Sequence, residues 1–231
     1  AEALRRIAAQ GRAGFYEGEG AEDMVASLRA LGGSHTAEDF AATACTWGEA
    51  IAGSYAGAGL WEHPPNGQGA AAILMLNILS HFDLAALDPF GADRIHLEAE
   101  ATRLAYDARN RFVADPDHMR RLDHMLAPPP LTEAVHRDTV CLSVVDRDRM
   151  AVSLIYSVYF GFGSGLASSR FGINFQNRGA GFTLTPGHPN EAGGGKRPMH
   201  TIIPAMLGEE GGRPNLPFCV MGGAYQAAGH A

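Results

Sequence analysis

No run among the 231 residues reaches the length of a membrane span. The longest apolar run, Ala70 to Leu79, is broken by Asn77 and reads as a buried helix. Basic residues are outnumbered, with 18 Lys and Arg against 25 Asp and Glu for a net charge of −7. They form no block, so the electrostatic footprint of a nucleic-acid binder is missing. Cysteine is scarcer still. Cys45, Cys141 and Cys219 are odd in number, widely spaced and without a CxxC pair, so no disulfide framework is expected and each reads as a small buried apolar residue. None of the 10 histidines has the spacing and company of a zinc motif, and no metal or cofactor is implied. The chain opens with neither Met nor a signal-peptide pattern but inside what reads as a helix. The expectation is that a further segment precedes it and carries any signal for a cytoplasmic or periplasmic location.

What is present suffices for a sizeable core: 46% of the residues are hydrophobic, which fits one domain or one domain with an extension. Leu4, Ile7 and Ala8 suggest an amphipathic helix from Glu2 to Gly14, and Met24, Val25, Leu28 and Leu31 a second from Ala21 to Leu31, stopped by Gly32-Gly33. Thr36 with Asp39 reads as the capping box of a short third helix. Residues 44–61 suit a strand pair. Pro64-Pro65-Asn66-Gly67-Gln68-Gly69 forms a turn that launches a helix from Ala70 to Ser80. A further helix is expected over 93–110, with Glu98, Glu100, Arg103 and Arg109 on a solvated face. From Asp115 to Asp138 the chain turns polar and proline-rich, as a surface linker would.

Thr139 to Asp146 and Ala151 to Ser157 are short runs rich in β-branched and apolar residues around the turn-like Arg147-Asp148-Arg149. Pairing Val144 with Val152, Leu142 with Leu154 and Val140 with Tyr156 keeps the apolar side chains on one face. A one-residue shift would set valines against serines. This register places Thr139 opposite Ser157. By itself that is an ordinary hairpin with hydroxyls at its mouth.

The runs from Thr139 to Asp146, Phe160 to Gly165, Asn177 to Phe182, Pro186 to Asn190, Gly195 to Pro198 and Met221 to Gly223 resemble, in order, the γ-glutamyltransferase family of N-terminal-nucleophile hydrolases. Upstream, Leu31-Gly32-Gly33, Thr36 to Phe40, Pro64 to Gly69 and His96 to Glu100 resemble the end of that family's large subunit. The resemblance implies an α+β fold of the four-layer αββα type. It divides the chain into residues 1–138, from the large-subunit region, and residues 139–231, from the small-subunit region, both made from one precursor. It also implies autocatalytic cleavage between Asp138 and Thr139, after which the freed amino group of Thr139 serves as base for its own hydroxyl. Ser157 matches the family's hydroxyl partner of the nucleophile. Gly222 and Gly223 match the glycine pair of the oxyanion hole.

The same resemblance puts Tyr159, Asn177, Arg178, His200 and Thr201 at the substrate. Several of them depart from the family pattern. Members acting on γ-glutamyl compounds have glutamine where Arg178 stands and aspartate where Gly181 stands, and these bind the donor's ammonium group. Tyr159 replaces an asparagine, and His200-Thr201 replaces two serines that hold a carboxylate. An arginine repels an ammonium and holds a carboxylate or carbonyl. The expected activity is acyl transfer or hydrolysis of a small-molecule amide donor, γ-glutamyl in type, with water or an amine as acceptor. The alternatives are an acyl group lacking the ammonium, of oxamate or glutaryl and cephalosporin-acylase type, and an unprocessed inactive homologue. A homo-oligomer stays open.

Overall fold

The structure, a computed structural model, describes residues 1–119, 122–125 and 140–231. The architecture is α+β, and the chain folds into two compact units. Each contains residues from both sides of the Asp138-Thr139 bond. That bond itself, and with it the Thr139–Ser157 pairing, lies outside the described residues.

The first unit joins Ala1–Trp47 to Phe160–Asn177. Its helices are α1 (Glu2–Gln10), α2 (Ala13–Tyr16), α3 (Gly18–Ala30) and α4 (Ala37–Ala41). The single helix expected to Gly14 breaks earlier, at Gly11, which takes φ 59° and donates its N–H to Ile7 O. Gly14 then passes so close to α1 that a Cβ there would lie 2.3 Å from Arg6 O. Ala21, Met24 and Val25 form the buried face of α3. The capping box is as expected: Thr36 Oγ1 accepts from the N–H of Asp39 and Asp39 accepts from that of Thr36.

The second unit, Gly48–Tyr159 with Arg178–Ala231, is built on an antiparallel sheet of order β1 (Ile51–Tyr55), β2 (Ala58–Glu62), β5 (Ala205–Glu209), β6 (Pro214–Phe218). Against it lies α5 (Gly69–Leu79), with ten of its eleven residues buried. Such a helix is apolar on every side because it is covered on every side. Its neighbours are β1, α6 (Ala92–Phe112), α7 (Leu122–Met125) and α8 (Gln226–His230). The approach to β1 is closest at Gly53, where a Cβ would come within 2.7 Å of Ile73 Cγ2. The core holds Leu74, Met75, Ile78, Ala105, Val113 and Ile203.

Three expectations change here. The stretch after Asp115 is not wholly a surface linker: α7 interrupts it and sends a fully buried Met125 into the core. Arg109 does not lie on a solvated face but is 4% exposed. It lies with Ala101, Ala105 and Ala108 on the stripe of α6 turned inward, which helical spacing alone assigns ambiguously. Nor are the cysteines three separate buried thiols. Cys141 and Cys219 are joined in a disulfide with their Cα atoms 6.1 Å apart, and Cys45 is exposed. A separation of 78 residues hides that pairing from any local reading.

The hairpin of β3 (Val140–Val145) and β4 (Ala151–Tyr156) has the expected register, with Val140 facing Tyr156, Leu142 facing Leu154 and Val144 facing Val152. The face turned to β6 is the one bearing Cys141, Ser143, Ser153 and Ile155. There Ser153 Oγ donates to Phe218 O at 2.8 Å. The six residues named in the register are between 44 and 57% exposed. No helix among the described residues is long and apolar enough to cross a membrane.

Candidate active site

The turn that launches α5 is stitched to the segment before β5. His200 N–H donates to Asn66 O at 2.9 Å, Gln68 N–H to His200 O at 3.1 Å, and Asn66 Nδ2 to Pro198 O at 2.6 Å. Side chains are excluded at the glycines of this turn: a Cβ on Gly69 would stand 2.5 Å from His63 O. Gln68 is fully buried, and its Nε2 donates to both Thr201 O (2.7 Å) and Gly223 O (3.0 Å). Its Oε1 accepts from Arg109 Nη1 at 2.7 Å. Arg109 also donates to Asn110 Oδ1, and its guanidinium carbon lies 4.2 Å from the centre of the Tyr106 ring.

Arg178 opens a 3-10 turn, Arg178–Gly181, and is only 6% exposed. Its Nη1 donates to Thr201 Oγ1 at 2.8 Å, and its guanidinium carbon sits 4.3 Å from the centre of the Tyr159 ring. Stacking on an aromatic face offsets part of the hydration lost on burial. Tyr159 is held at φ 82°, a region costly for a residue with a side chain, and its N–H donates to Ser157 Oγ at 2.9 Å. Burial lowers the Arg178 pKa to about 10, with Tyr159 opposing. His200 falls to about 3, first through burial, then through the charges of Arg178 and His63, so its imidazole is neutral near pH 7. Its Nδ1 accepts from the N–H of Ile202. Arg109 and Gly181 both border a cavity of ≈ 300 Å³ whose wall includes Phe182, His188 and Met199.

Of the residues expected at the substrate, Arg178, Tyr159 and Thr201 are in direct contact, with His200 adjoining in sequence. Asn177 belongs to the first unit, where its Oδ1 accepts the N–H of Phe160 at 3.0 Å. Gly222 and Gly223 have φ of 126° and 57°, conformations that favour glycine. Thr139 and Asp138 are not among the described residues. Gln68 and Arg109 went unassigned in the sequence. Pro64 to Gly69 marked the turn near the site, but a single glutamine carries no chemical signature, and Arg109 was hidden among the other charges of its helix.

A carboxylate at 181 has no room: a Cβ there would meet Met199 O at 2.8 Å. The arrangement therefore offers a dry cation, a hydroxyl and a neutral imidazole where a carboxylate–ammonium contact would need an acid.

Comparisons with known proteins identify the family. The chain matches the family described as Gamma-glutamyltranspeptidase over residues 1–134 and 127–231. It is 34% identical over 242 residues to the glutathione hydrolase-like YwrD proenzyme of Bacillus subtilis, covering 98% of this chain and 46% of that protein. To the oxamate amidohydrolase proenzyme of Klebsiella pneumoniae it is 32% identical, covering 96% of this chain and 45% of the relative. Among solved structures, a cephalosporin acylase from Bacillus halodurans superposes with a TM-score of 0.90 at 38% identity, covering 100% of this chain and 45% of that one. The chain thus spans about half the length of these relatives. By the match of both its segments, it belongs to the gamma-glutamyltranspeptidase family.

Proposed function

We propose that this is a self-processing amidohydrolase or acyltransferase acting through Thr139, on a small amide whose acyl group carries a carboxylate or carbonyl rather than an α-ammonium. The observation that carries the substrate half is Arg178, buried, stacked on Tyr159 and bonded to Thr201. A cation so placed favours an anionic or carbonyl-bearing acyl group and repels an ammonium. The oxamate amidohydrolase among the relatives supports the same class, oxamate having no α-ammonium.

In this reading the Thr139 hydroxyl attacks the carbonyl carbon of Asp138, the C–N bond breaks, and an ester links the two residues. Water hydrolyses the ester, leaving a carboxylate on Asp138 and a free amino group on Thr139. That amine, with an ordinary pKa of roughly 8, then takes the proton of its own hydroxyl as the oxygen attacks the substrate amide. The tetrahedral oxyanion is received by the N–H groups of Gly222 and Gly223. Ser157 bonds the nucleophile, and Arg178, Thr201 and His200 hold the acyl group. Asn177 stays a substrate contact in this proposal. The leaving amine departs, and water or an acceptor amine releases the acyl group from Thr139. The full protein takes the four-layer αββα sandwich, with residues 1–138 and 139–231 as parts of two subunits from one precursor.

Intact mass and N-terminal sequencing of the wild type beside Thr139→Ala test the processing. The expected result is two fragments from the wild type, the second starting at Thr139, and one uncut chain from the variant. A wild type that stays whole while folded would overturn it. For the substrate, turnover of oxamate- and glutaryl-type amides is expected to exceed that of a γ-glutamyl anilide.

A further inference from the structure

Gln68 lies in one of the runs that resemble the family, yet the expected catalytic and substrate-binding set gives it no role. Its side chain is 0% exposed, yet every polar atom of it is engaged across long sequence distances. The Nε2 group offers two hydrogens and meets two acceptors that can only accept, the carbonyls of Thr201 and Gly223. The Oε1 atom meets a group that can only donate, the Arg109 guanidinium. The amide is therefore locked in one orientation. Arg109 is itself buried, and among the described residues no carboxylate lies within ion-pair distance of it; its acceptors are the neutral side-chain oxygens of Gln68 and Asn110.

We propose that Gln68 is a positioning residue of the acyl-transfer site: one side-chain nitrogen ties the Thr201 backbone to the Gly223 backbone, and Arg109 sets its orientation. This rests on the acyl-transfer reading above. Thr201 belongs to the acyl-holding group, through its bond from Arg178, and Gly223 to the oxyanion glycines. The two lie on separate segments, and the acyl group must be held by the first while its carbonyl oxygen meets the second. Misplacement by an ångström at such a site costs on the order of 100-fold in rate. Residues of similar length do not reproduce these bonds. Glutamate would set a carboxylate oxygen against two carbonyl oxygens. Methionine, of similar length, would leave both carbonyls and Arg109 Nη1 buried without those partners.

The test uses the complete protein as wild type, Gln68→Met, Arg109→Met and the double variant, with Gln68→Asn as the milder change if the methionine variants do not fold. Hydrogen exchange is followed in peptides covering residues 198–203 and 221–226, and kcat and KM are measured on a panel of oxamate-, glutaryl- and γ-glutamyl-type amides. The expected result for Gln68→Met is faster exchange in both peptides together, with α5 still protected, and a kcat lowered by about 10- to 100-fold while KM stays within about threefold. Because Gln68 and Arg109 act as one unit, the double variant should lose no more than Gln68→Met alone. Unchanged exchange in either peptide overturns the tie whatever the activity. Faster exchange with wild-type kcat makes Gln68 structural only and overturns its positioning role. A KM rise with unchanged kcat overturns it in favour of direct substrate binding. A wild type inactive on the whole panel sinks the acyl-transfer reading, and the positioning role with it, while the exchange data still report on the tie itself.

Discussion

An arginine with 6% of its surface exposed has given up most of its hydration, and Tyr159 and Thr201 are among the groups that replace it. Because solvent screens its charge less, an anion beside Arg178 would be held more strongly than one beside a surface arginine. Replacing it by glutamine keeps a donor but removes the charge. Charge-assisted bonds are worth about 1.5–3 kcal/mol, so KM for a glutaryl- or oxamate-type amide should rise about tenfold or more in Arg178→Gln. Steady-state kinetics on the processed enzyme would measure this, and an unchanged KM would remove Arg178 from the acyl pocket. Its identity and its break with the family pattern were visible in the sequence. Its burial was not, because that depends on Tyr159 folding back over it at a positive φ. Gln68 shows the opposite limit: an uncharged residue in a turn whose partners lie 41, 133 and 155 positions away.

Among the elements, β2 and β5 matter most if the chain is cut before Thr139. β2 precedes that bond and β5 follows it, yet they pair in register from Ala58 with Glu209 to Glu62 with Ala205. Glu62 is bonded to His230 of α8 at 2.6 Å, again across the bond, with both side chains fully buried. The two fragments are therefore expected to run as one species in native size-exclusion chromatography and to separate only in denaturant. Fragments that part in native buffer would show that this ladder does not hold them. Part of the secondary structure was legible, but β5 and β6, half of the four-stranded sheet, and α8 were not expected. Period-2 alternation and the cost of mixing faces led to the observed hairpin register, and α5 and α6 were expected within two residues of their observed ends. The break at Gly11 and the turn α7 were not foreseen, since both depend on what the backbone packs against.

At the scale of the whole molecule, His200 makes folding depend on pH. Its pKa is lowered to about 3 in the fold, chiefly by burial, against roughly 6.5 when unfolded. Between those values the unfolded chain binds a proton that the folded chain does not, so stability falls as pH drops from about 6.5 towards 3 and is insensitive to this group above that window. Denaturant melts at pH 7 and pH 4.5 should show a smaller loss for His200→Asn than for the wild type. An identical loss would mean that His200 is not held neutral. Charge balance, the lack of a membrane-length run, the helix and strand periods and the motifs that mark the family are properties of neighbouring residues, and the sequence alone determined them. The tertiary structure decided which cations are dry, which cysteines are paired, which face of the hairpin meets β6, and that Gln68 joins Thr201 to Gly223. Those follow from contacts between segments far apart in the chain, and burial, which sets their energies, is a property of the folded whole rather than of any stretch of it.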